Sequence, residues 1–162
     1  MEIEKKFRIK RFPEGLEQYP CIQIEQGYLC RGPVVRIRKA NEDYILTYKS
    51  KTGQDEDALG MKIANEVELP LTESAYLHLR KKIDGKLITK TRYKIPLENG
   101  RKAELDIFHG YLEGLQFVEV EFDSTEQALE FQPPDWFGED VSTDHRFANN
   151  YLCTISEWKE TE

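Results

Sequence analysis

The sequence predicts a mainly β protein of α+β type: an eight-stranded antiparallel closed barrel with a few peripheral helices. Seven segments alternate apolar with charged or polar residues, which is the pattern of strands with two different faces, and an isoleucine-rich segment supplies an eighth strand. The connectors between them are mostly short and contain turn residues, which favours antiparallel pairing. Eight strands are about the number that closes a small barrel.

The alternation is clear in the first strand, residues 2–10. Ile3, Phe7 and Ile9 occupy odd-numbered positions, and charged side chains occupy the even-numbered positions. The same pattern predicts six further strands, at residues 34–39, 44–51, 62–69, 87–95, 102–108 and 117–122. An eighth strand is predicted at residues 21–30, which are rich in isoleucine and end in QGYLC. Turn residues at 41–43 and 98–100 predict hairpins, whereas the longer acidic segment 52–60 is predicted to be a solvated loop.

Helical periodicity is confined to short segments. Residues 72–83 place apolar side chains near helical spacing behind Thr72, a residue suited to cap a helix. A second short helix is predicted at 124–131, ended by Pro133 and Pro134, and residues 13–19 form a short helix or loop. Because no linker or repeat separates these elements, residues 1–162 are predicted to form one domain.

The composition argues against several classes of protein. Of 162 residues, 33% are charged and the net charge is −7, whereas a nucleic-acid-binding surface is expected to be basic. No window approaches the roughly 18 apolar residues of a membrane span, and the N-terminus lacks the apolar core of a signal peptide. Three scattered cysteines suit a reducing compartment. These features predict a cytoplasmic protein that binds neither nucleic acid nor a membrane.

Like charges stand two residues apart, and therefore on one face, in strand after strand. The acidic groups are Glu2/Glu4, Glu66/Glu68, Glu104/Asp106 and Glu119/Glu121, and the basic groups are Arg36/Arg38, Lys49/Lys51 and Lys90/Arg92/Lys94. One such pair is ordinary on a solvated face, but their recurrence predicts faces that point inward around bound ions. Carboxylates are ligands for Mg²⁺ or Mn²⁺, and Arg and Lys bind phosphate oxygens. The apolar faces would then point outward, beneath helices and loops.

A series of motifs runs along the chain. Residues 2–6 read EIEKK, an ExExK motif on the first strand. It is followed by QGYL at 26–29, VRIRK at 35–39, LTYKSK at 46–51, EVELPL at 66–71, TKTRYKIP at 89–96, ELDIFHG at 104–110, VEVEF at 118–122 and GEDVSTDHRFANNYL at 138–152. This ordered set resembles the CYTH superfamily of triphosphate tunnel metalloenzymes, and in particular its compact single-domain bacterial inorganic triphosphatases, over essentially the full chain.

The resemblance implies a fold and a set of site residues. Members of the family form an eight-stranded barrel whose lumen is a charged tunnel, and they act on triphosphates with divalent cations. By motif, one or two Mg²⁺ or Mn²⁺ ions would be bound by Glu2, Glu4, Asp106, Glu119 and Glu121. Phosphate would be bound by Lys6, Arg36, Arg38, Lys49, Lys90 and Arg92. The catalytic set would be Glu2, Glu4, Lys6, Arg38, Lys90 and Arg92.

Further residues have supporting roles in this interpretation. Glu66 and Glu68 would orient basic side chains or hold water. Lys51, Lys94 and Glu104 would lie at a tunnel mouth. Tyr28 would either touch substrate or pack at a strand end. Arg146 would have a secondary role in a C-terminal segment that plugs or lines one end of the tunnel.

The predicted activity is metal-dependent hydrolysis of a small anionic triphosphate. The favoured substrate is inorganic tripolyphosphate, which would be hydrolysed to pyrophosphate and phosphate. The alternatives are a class IV adenylate cyclase, a thiamine or nucleoside triphosphatase, and a polyphosphate-binding module without turnover. No grouping of residues suited to binding a base is visible in the sequence, which favours tripolyphosphate. Apolar residues on the outer strand faces are compatible with a homodimer.

Overall fold

Nine antiparallel strands form one sheet in the computed structural model, which describes residues 1–160. The strands are β1 (Glu2–Ile9), β2 (Cys21–Arg31), β3 (Val34–Ala40), β4 (Asp43–Lys51), β5 (Lys62–Pro70), β6 (Asp84–Pro96), β7 (Lys102–Phe108), β8 (Gln116–Phe122) and β9 (Phe137–Asp140). The first eight correspond to the eight predicted strands.

The sheet closes on itself. Its neighbours follow the order β5-β4-β3-β2-β6-β7-β8-β1, and β1 pairs again with β5, where Glu2 lies opposite Ala64. The predicted eight-stranded closed barrel is therefore confirmed. The four-residue β9 pairs with Phe7 and Ile9 of β1, beyond the part of β1 that pairs with β5. It was not predicted, because so short a strand shows no clear alternation.

Four short α-helices accompany the barrel within residues 1–160: α1 (Glu56–Leu59), α2 (Glu73–Arg80), α3 (Thr125–Glu130) and α4 (Asn149–Leu152). The Thr72 hydroxyl caps α2 as predicted, accepting a hydrogen bond from the Ala75 amide at 3.1 Å. The loop prediction for residues 52–60 was wrong in part, because the Asp55 carboxylate caps α1 there. None of the helices in the described residues is long and apolar enough to cross a membrane.

The outward apolar faces of the strands pack beneath the peripheral elements. Ile3, Phe7 and Val118 belong to a buried cluster that also contains Ala128 of α3 and Phe137 of β9. The other side of the barrel is covered by α2, which contacts β3 and β4.

Part of the outer surface of β4 and β5 stays exposed in the described chain. Val67 and Leu69 are 54% and 55% exposed, and Tyr48 lies opposite Val67 in the sheet. The prediction that helices or loops cover the apolar strand faces is therefore wrong for this part of the barrel.

A second apolar cluster lies at one end of the barrel. Phe108 of β7 and Phe117 of β8 pack there with Phe147 and Leu152 of the C-terminal segment. The Tyr111 hydroxyl holds this segment by donating to the Leu152 carbonyl at 2.9 Å. The packing brings the segment across the barrel end, next to the lumen.

Candidate active site

The charged strand faces point into the barrel. Lys6 lies directly opposite Glu119, and Glu119 in turn lies opposite Glu104 on the next strand. Because residues directly opposite each other in a sheet share one face, these charges share the inner face. The sequence pattern predicts this placement because the two-residue period is a local property of each strand.

The lumen contains a cavity of about 480 Å³. Fourteen of the predicted residues line it: Glu2, Glu4, Lys6, Tyr28, Arg36, Arg38, Lys49, Glu66, Glu68, Arg92, Lys94, Glu104, Glu119 and Glu121. Lys51, predicted at the tunnel mouth, is exposed and does not line this cavity. Lys90 and Asp106 lie within its wall, with exposed fractions of 1% and 0%. Arg146 is outside this set, since it is exposed and pairs with Asp144.

Three of the lining carboxylates form a compact cluster. Glu2, Glu4 and Glu121 each offer an oxygen, and these oxygens all lie within 4.8 Å of one another. Burial, followed by the charge of Glu119, raises the pKa of Glu4 well above its ordinary value. Burial and the charge of Glu2 likewise raise the pKa of Glu121 to about 7. Three clustered carboxylates that offer oxygen donors fit a hard divalent cation such as Mg²⁺ or Mn²⁺.

Two predicted metal ligands are held by basic side chains. The Lys6 ammonium lies 3.8 Å from the Glu119 carboxylate. Although burial opposes it, this charge helps to lower the pKa of Glu119. Asp106 accepts from Lys90 Nζ at 2.7 Å and from Arg92 Nε and Nη2 at 2.7 and 2.9 Å. Both oxygens of Asp106 are therefore bound by cationic side chains, and Asp106 lies outside the Glu2–Glu4–Glu121 cluster.

The basic side chains of the lumen differ in how fully their charge is balanced. Lys49 lies 2.7 Å from Glu2 and 3.4 Å from Glu66. In the described chain Arg36 and Arg38 form no ion pair with a carboxylate. Burial, followed by the charge of Arg36, lowers the pKa of Arg38 to about 9. The lumen thus holds guanidinium groups that are available to an anion.

The C-terminal segment lines one end of the cavity. Lys6 Nζ donates to the Phe147 carbonyl at 2.7 Å, and Lys90 Nζ lies 3.5 Å from Asn149 Oδ1. Asn149 and Asn150 line the cavity but are absent from the predicted site. Both residues lie in α4 and not in a strand, so the alternation of strand faces could not predict their contact with the lumen.

Comparison with known proteins supports this description. The chain is 36% identical over 155 residues to the inorganic triphosphatase of Nitrosomonas europaea, covering 94% of this chain and 96% of that protein. It is 33% identical to the inorganic triphosphatase of Acetivibrio thermocellus, covering 93% and 92%. The chain belongs to the CYTH superfamily of triphosphate tunnel metalloenzymes. No family model matches it.

Solved structures share the CYTH barrel. The crystal structure of an inorganic triphosphatase superposes with a TM-score of 0.70 at 34% identity, covering 98% of this chain and 97% of that one. The structure of a Hippeastrum protein with a dominant triphosphatase activity superposes with a TM-score of 0.59 at 16% identity, covering 80% of this chain and 83% of that one. The second likeness shows the fold alone.

We expect Mg²⁺ to raise the melting temperature of this CYTH protein more at pH 8 than at pH 5. The folded-state pKa values of Glu4 and Glu121 are raised. Their contribution to stability is therefore present while they are protonated and is lost as pH rises through the folded pKa, about 7 for Glu121. A cation binds the ionised carboxylates and offsets this loss.

Thermal melts at both pH values, with Mg²⁺ or EDTA, measure this difference. NaCl at matched ionic strength controls for screening. An equal Mg²⁺ shift at pH 5 and pH 8 would contradict the assignment of the cluster to a cation.

Proposed function

We propose that this chain hydrolyses a phosphoanhydride of inorganic tripolyphosphate, producing pyrophosphate and phosphate, with a divalent cation as cofactor. One observation carries the proposal: a carboxylate cluster and two guanidinium groups that have no carboxylate partner in the described chain line the same cavity of about 480 Å³. A triphosphate–metal complex presents both a cation and several anionic oxygens. The cavity offers ligands for each.

The cation would be held by Glu2, Glu4 and Glu121, with Glu119 beside them. When bound, Mg²⁺ or Mn²⁺ supplies charge neutralisation at the phosphate oxygens and lowers the pKa of an attacking water. The chain's own carboxylates select such an ion because they are hard oxygen ligands. We propose one or two ions at this cluster.

The phosphates would be bound by Arg36, Arg38, Arg92, Lys49 and Lys6. Guanidinium groups donate two parallel hydrogen bonds to phosphate oxygens, and ammonium groups act as point charges. Arg36 Nε is a buried donor without an acceptor in the described chain, and an anionic oxygen is the partner that it lacks. Fixed positive groups around the reacting phosphoryl group stabilise charge that spreads over its oxygens in the transition state.

Lys90 and Asp106 are buried in the wall of the cavity, next to the Arg92 guanidinium. Asp106 binds both the Lys90 ammonium and the Arg92 guanidinium, and it thereby holds Arg92 in one orientation. Burial lowers the pKa of Lys90 to about 7. We therefore propose a positioning role for Asp106.

The lumen is not uniformly charged. Ile22, Ile24 and Ile45 line the same cavity on β2 and β4, although no apolar grouping near the charges was evident in the sequence. An apolar wall is a surface on which an organic moiety can pack. Nucleotide and thiamine triphosphates are therefore included in the test of substrate class.

Phosphate release from tripolyphosphate, ATP and thiamine triphosphate is the direct test, each with Mg²⁺, Mn²⁺ or EDTA. We expect the highest kcat/KM for tripolyphosphate, and we expect no phosphate release from tripolyphosphate in EDTA. Cyclic AMP as the main product from ATP would establish the cyclase instead. Binding of tripolyphosphate without hydrolysis of any substrate would support a polyphosphate-binding module.

A cytoplasmic location, a single domain over residues 1–162 and a homodimer remain predictions.

A further inference from the structure

We propose that Gln26 is a positioning residue for phosphate binding, because it holds the Arg38 guanidinium in place without cancelling its charge. The inference rests on the proposed function and assigns to it a residue that was not among the predicted site residues. Gln26 is neutral and fully buried, with an exposed fraction of 0%.

The geometry fixes which atom of the amide meets Arg38. Gln26 lies on the inner face of β2, directly opposite Arg38 of β3. Its side-chain oxygen accepts from Arg38 Nε at 2.9 Å. Since Nε can only donate, the amide atom that faces it must be the oxygen. The amide nitrogen of Gln26 is thereby left as a buried donor with no acceptor among residues 1–160.

The position of Gln26 is itself constrained. It pairs with Arg38 of β3 on one side and with Ile88 of β6 on the other. The next residue, Gly27, faces outward, and a Cβ there would lie 2.8 Å from Ile83 Cγ2. Strand β2 is thus packed on both sides and from outside, so Gln26 presents its amide from a rigid support.

A comparison with Arg92 shows why a neutral partner matters. Asp106 binds Arg92 through Nε and Nη2 and offsets its positive charge. Gln26 binds Arg38 through Nε alone, and the described residues place no acceptor at either terminal nitrogen of Arg38. Arg38 lines the cavity. Gln26 therefore fixes the plane of the guanidinium while its charge and its two terminal nitrogens stay available to phosphate oxygens.

The sharpest test changes the charge of residue 26 and keeps its shape. In Gln26→Glu, a carboxylate faces Arg38 Nε and forms an ion pair that competes with phosphate. We expect kcat/KM for tripolyphosphate to fall about tenfold to a hundredfold, mainly through a higher KM. The melting temperature should not fall, because the new carboxylate is paired. Gln26→Met, which removes the acceptor without adding charge, should raise KM by less.

Gln23→Glu is the matched control. Gln23 lies on the same strand but is exposed, and its side-chain oxygen accepts from the Thr91 hydroxyl at 3.0 Å. A glutamate can accept the same bond. This variant should keep the wild-type KM, which separates the effect at position 26 from that of one added negative charge on the protein.

A double-mutant cycle tests whether Gln26 acts through Arg38. Arg38→Lys removes the Nε donor that Gln26 binds. In that background Gln26→Met should change KM little, because the contact is already lost. Additive effects of Gln26→Met and Arg38→Lys, or a folded Gln26→Glu variant with wild-type KM, would overturn the inference. A wild-type protein that neither binds nor hydrolyses tripolyphosphate would overturn the proposed function, and the inference with it.

Discussion

Replacing Glu4 with glutamine should reduce metal-dependent phosphate release by about a thousandfold while the barrel stays folded. Glu4 belongs to the carboxylate cluster with Glu2 and Glu121, and glutamine offers only one neutral oxygen ligand in its place. Loss of a catalytic divalent ion removes several kcal/mol of transition-state stabilisation, which corresponds to about three powers of ten in rate. Steady-state phosphate release from tripolyphosphate with Mg²⁺ measures the change.

The stability of the same variant should move in the opposite direction. Burial raises the pKa of Glu4 well above its ordinary value. The ionised side chain therefore destabilises the metal-free fold increasingly as pH rises through the folded pKa. Glutamine removes this penalty, so in EDTA at pH 8 the variant should melt at or above the wild-type temperature.

Glu113→Gln serves as the control for Glu4→Gln. Glu113 is exposed in the turn before β8 and does not line the cavity. It should change neither activity nor melting temperature. A Glu4→Gln variant with wild-type metal-dependent turnover would show that the cluster is not the metal site.

Replacing Asp106 with asparagine should destabilise the protein by about 3–5 kcal/mol, the range found when one partner of a buried ion pair is removed. Asp106, Lys90 and Arg92 lie together in the wall of the lumen, and the side chains of Asp106 and Lys90 are 0% exposed. Asparagine leaves the buried Lys90 without its ion-pair partner and leaves Arg92 with only the longer contact to Glu104. For a chain of this length the melting temperature should fall by about 6–20 °C.

The pH dependence of the Asp106→Asn effect gives a second measurement. Burial opposes ionisation, but the charges of Arg92 and Lys90 keep the pKa of Asp106 below its ordinary value. Its contribution to stability is present above the unfolded pKa, about 4, and is lost as pH falls through the folded pKa. The difference between wild type and variant should therefore be full at neutral pH and shrink in acid.

Two comparisons separate a positioning role for Asp106 from a metal-ligand role. Glu104→Gln removes a longer contact to Arg92, 3.4 Å, from a more exposed side chain, and should cost about 1 kcal/mol or less. Asp106→Asn should keep the Mg²⁺-dependent rise in melting temperature. A variant with wild-type stability and no response to Mg²⁺ would identify Asp106 as a metal ligand instead.

Much of the barrel could be predicted from local patterns. The alternation of Ile3, Phe7 and Ile9 with charged residues identified β1, and equivalent patterns identified six of the other barrel strands, while isoleucine content identified β2. The features that were missed are short or lack a period. The four-residue β9 has no room for an alternation, and α1 is a single turn inside an acidic segment.

The candidate site was predicted unevenly for a related reason. Residues whose role depends on the strand face, such as Glu4 and Arg38, line the cavity as predicted. Gln26 stands two residues before Tyr28 in the QGYL segment, so the two side chains are expected on the same strand face. This spacing could have identified Gln26 as a site residue. Asn149 has no such signal, because it reaches the lumen only through the packing of the C-terminal segment.

The sequence by itself determined which charged side chains of a strand share one face, because successive side chains of a strand point to opposite faces. Only the tertiary structure decided which charges meet across that face. Asp106 binds Lys90 and Arg92 rather than joining Glu2, Glu4 and Glu121, and Lys6 binds the carbonyl of a residue 141 positions away. These partners depend on strand register and on how the chain closes over the barrel end. Neither is encoded in the spacing within a single strand.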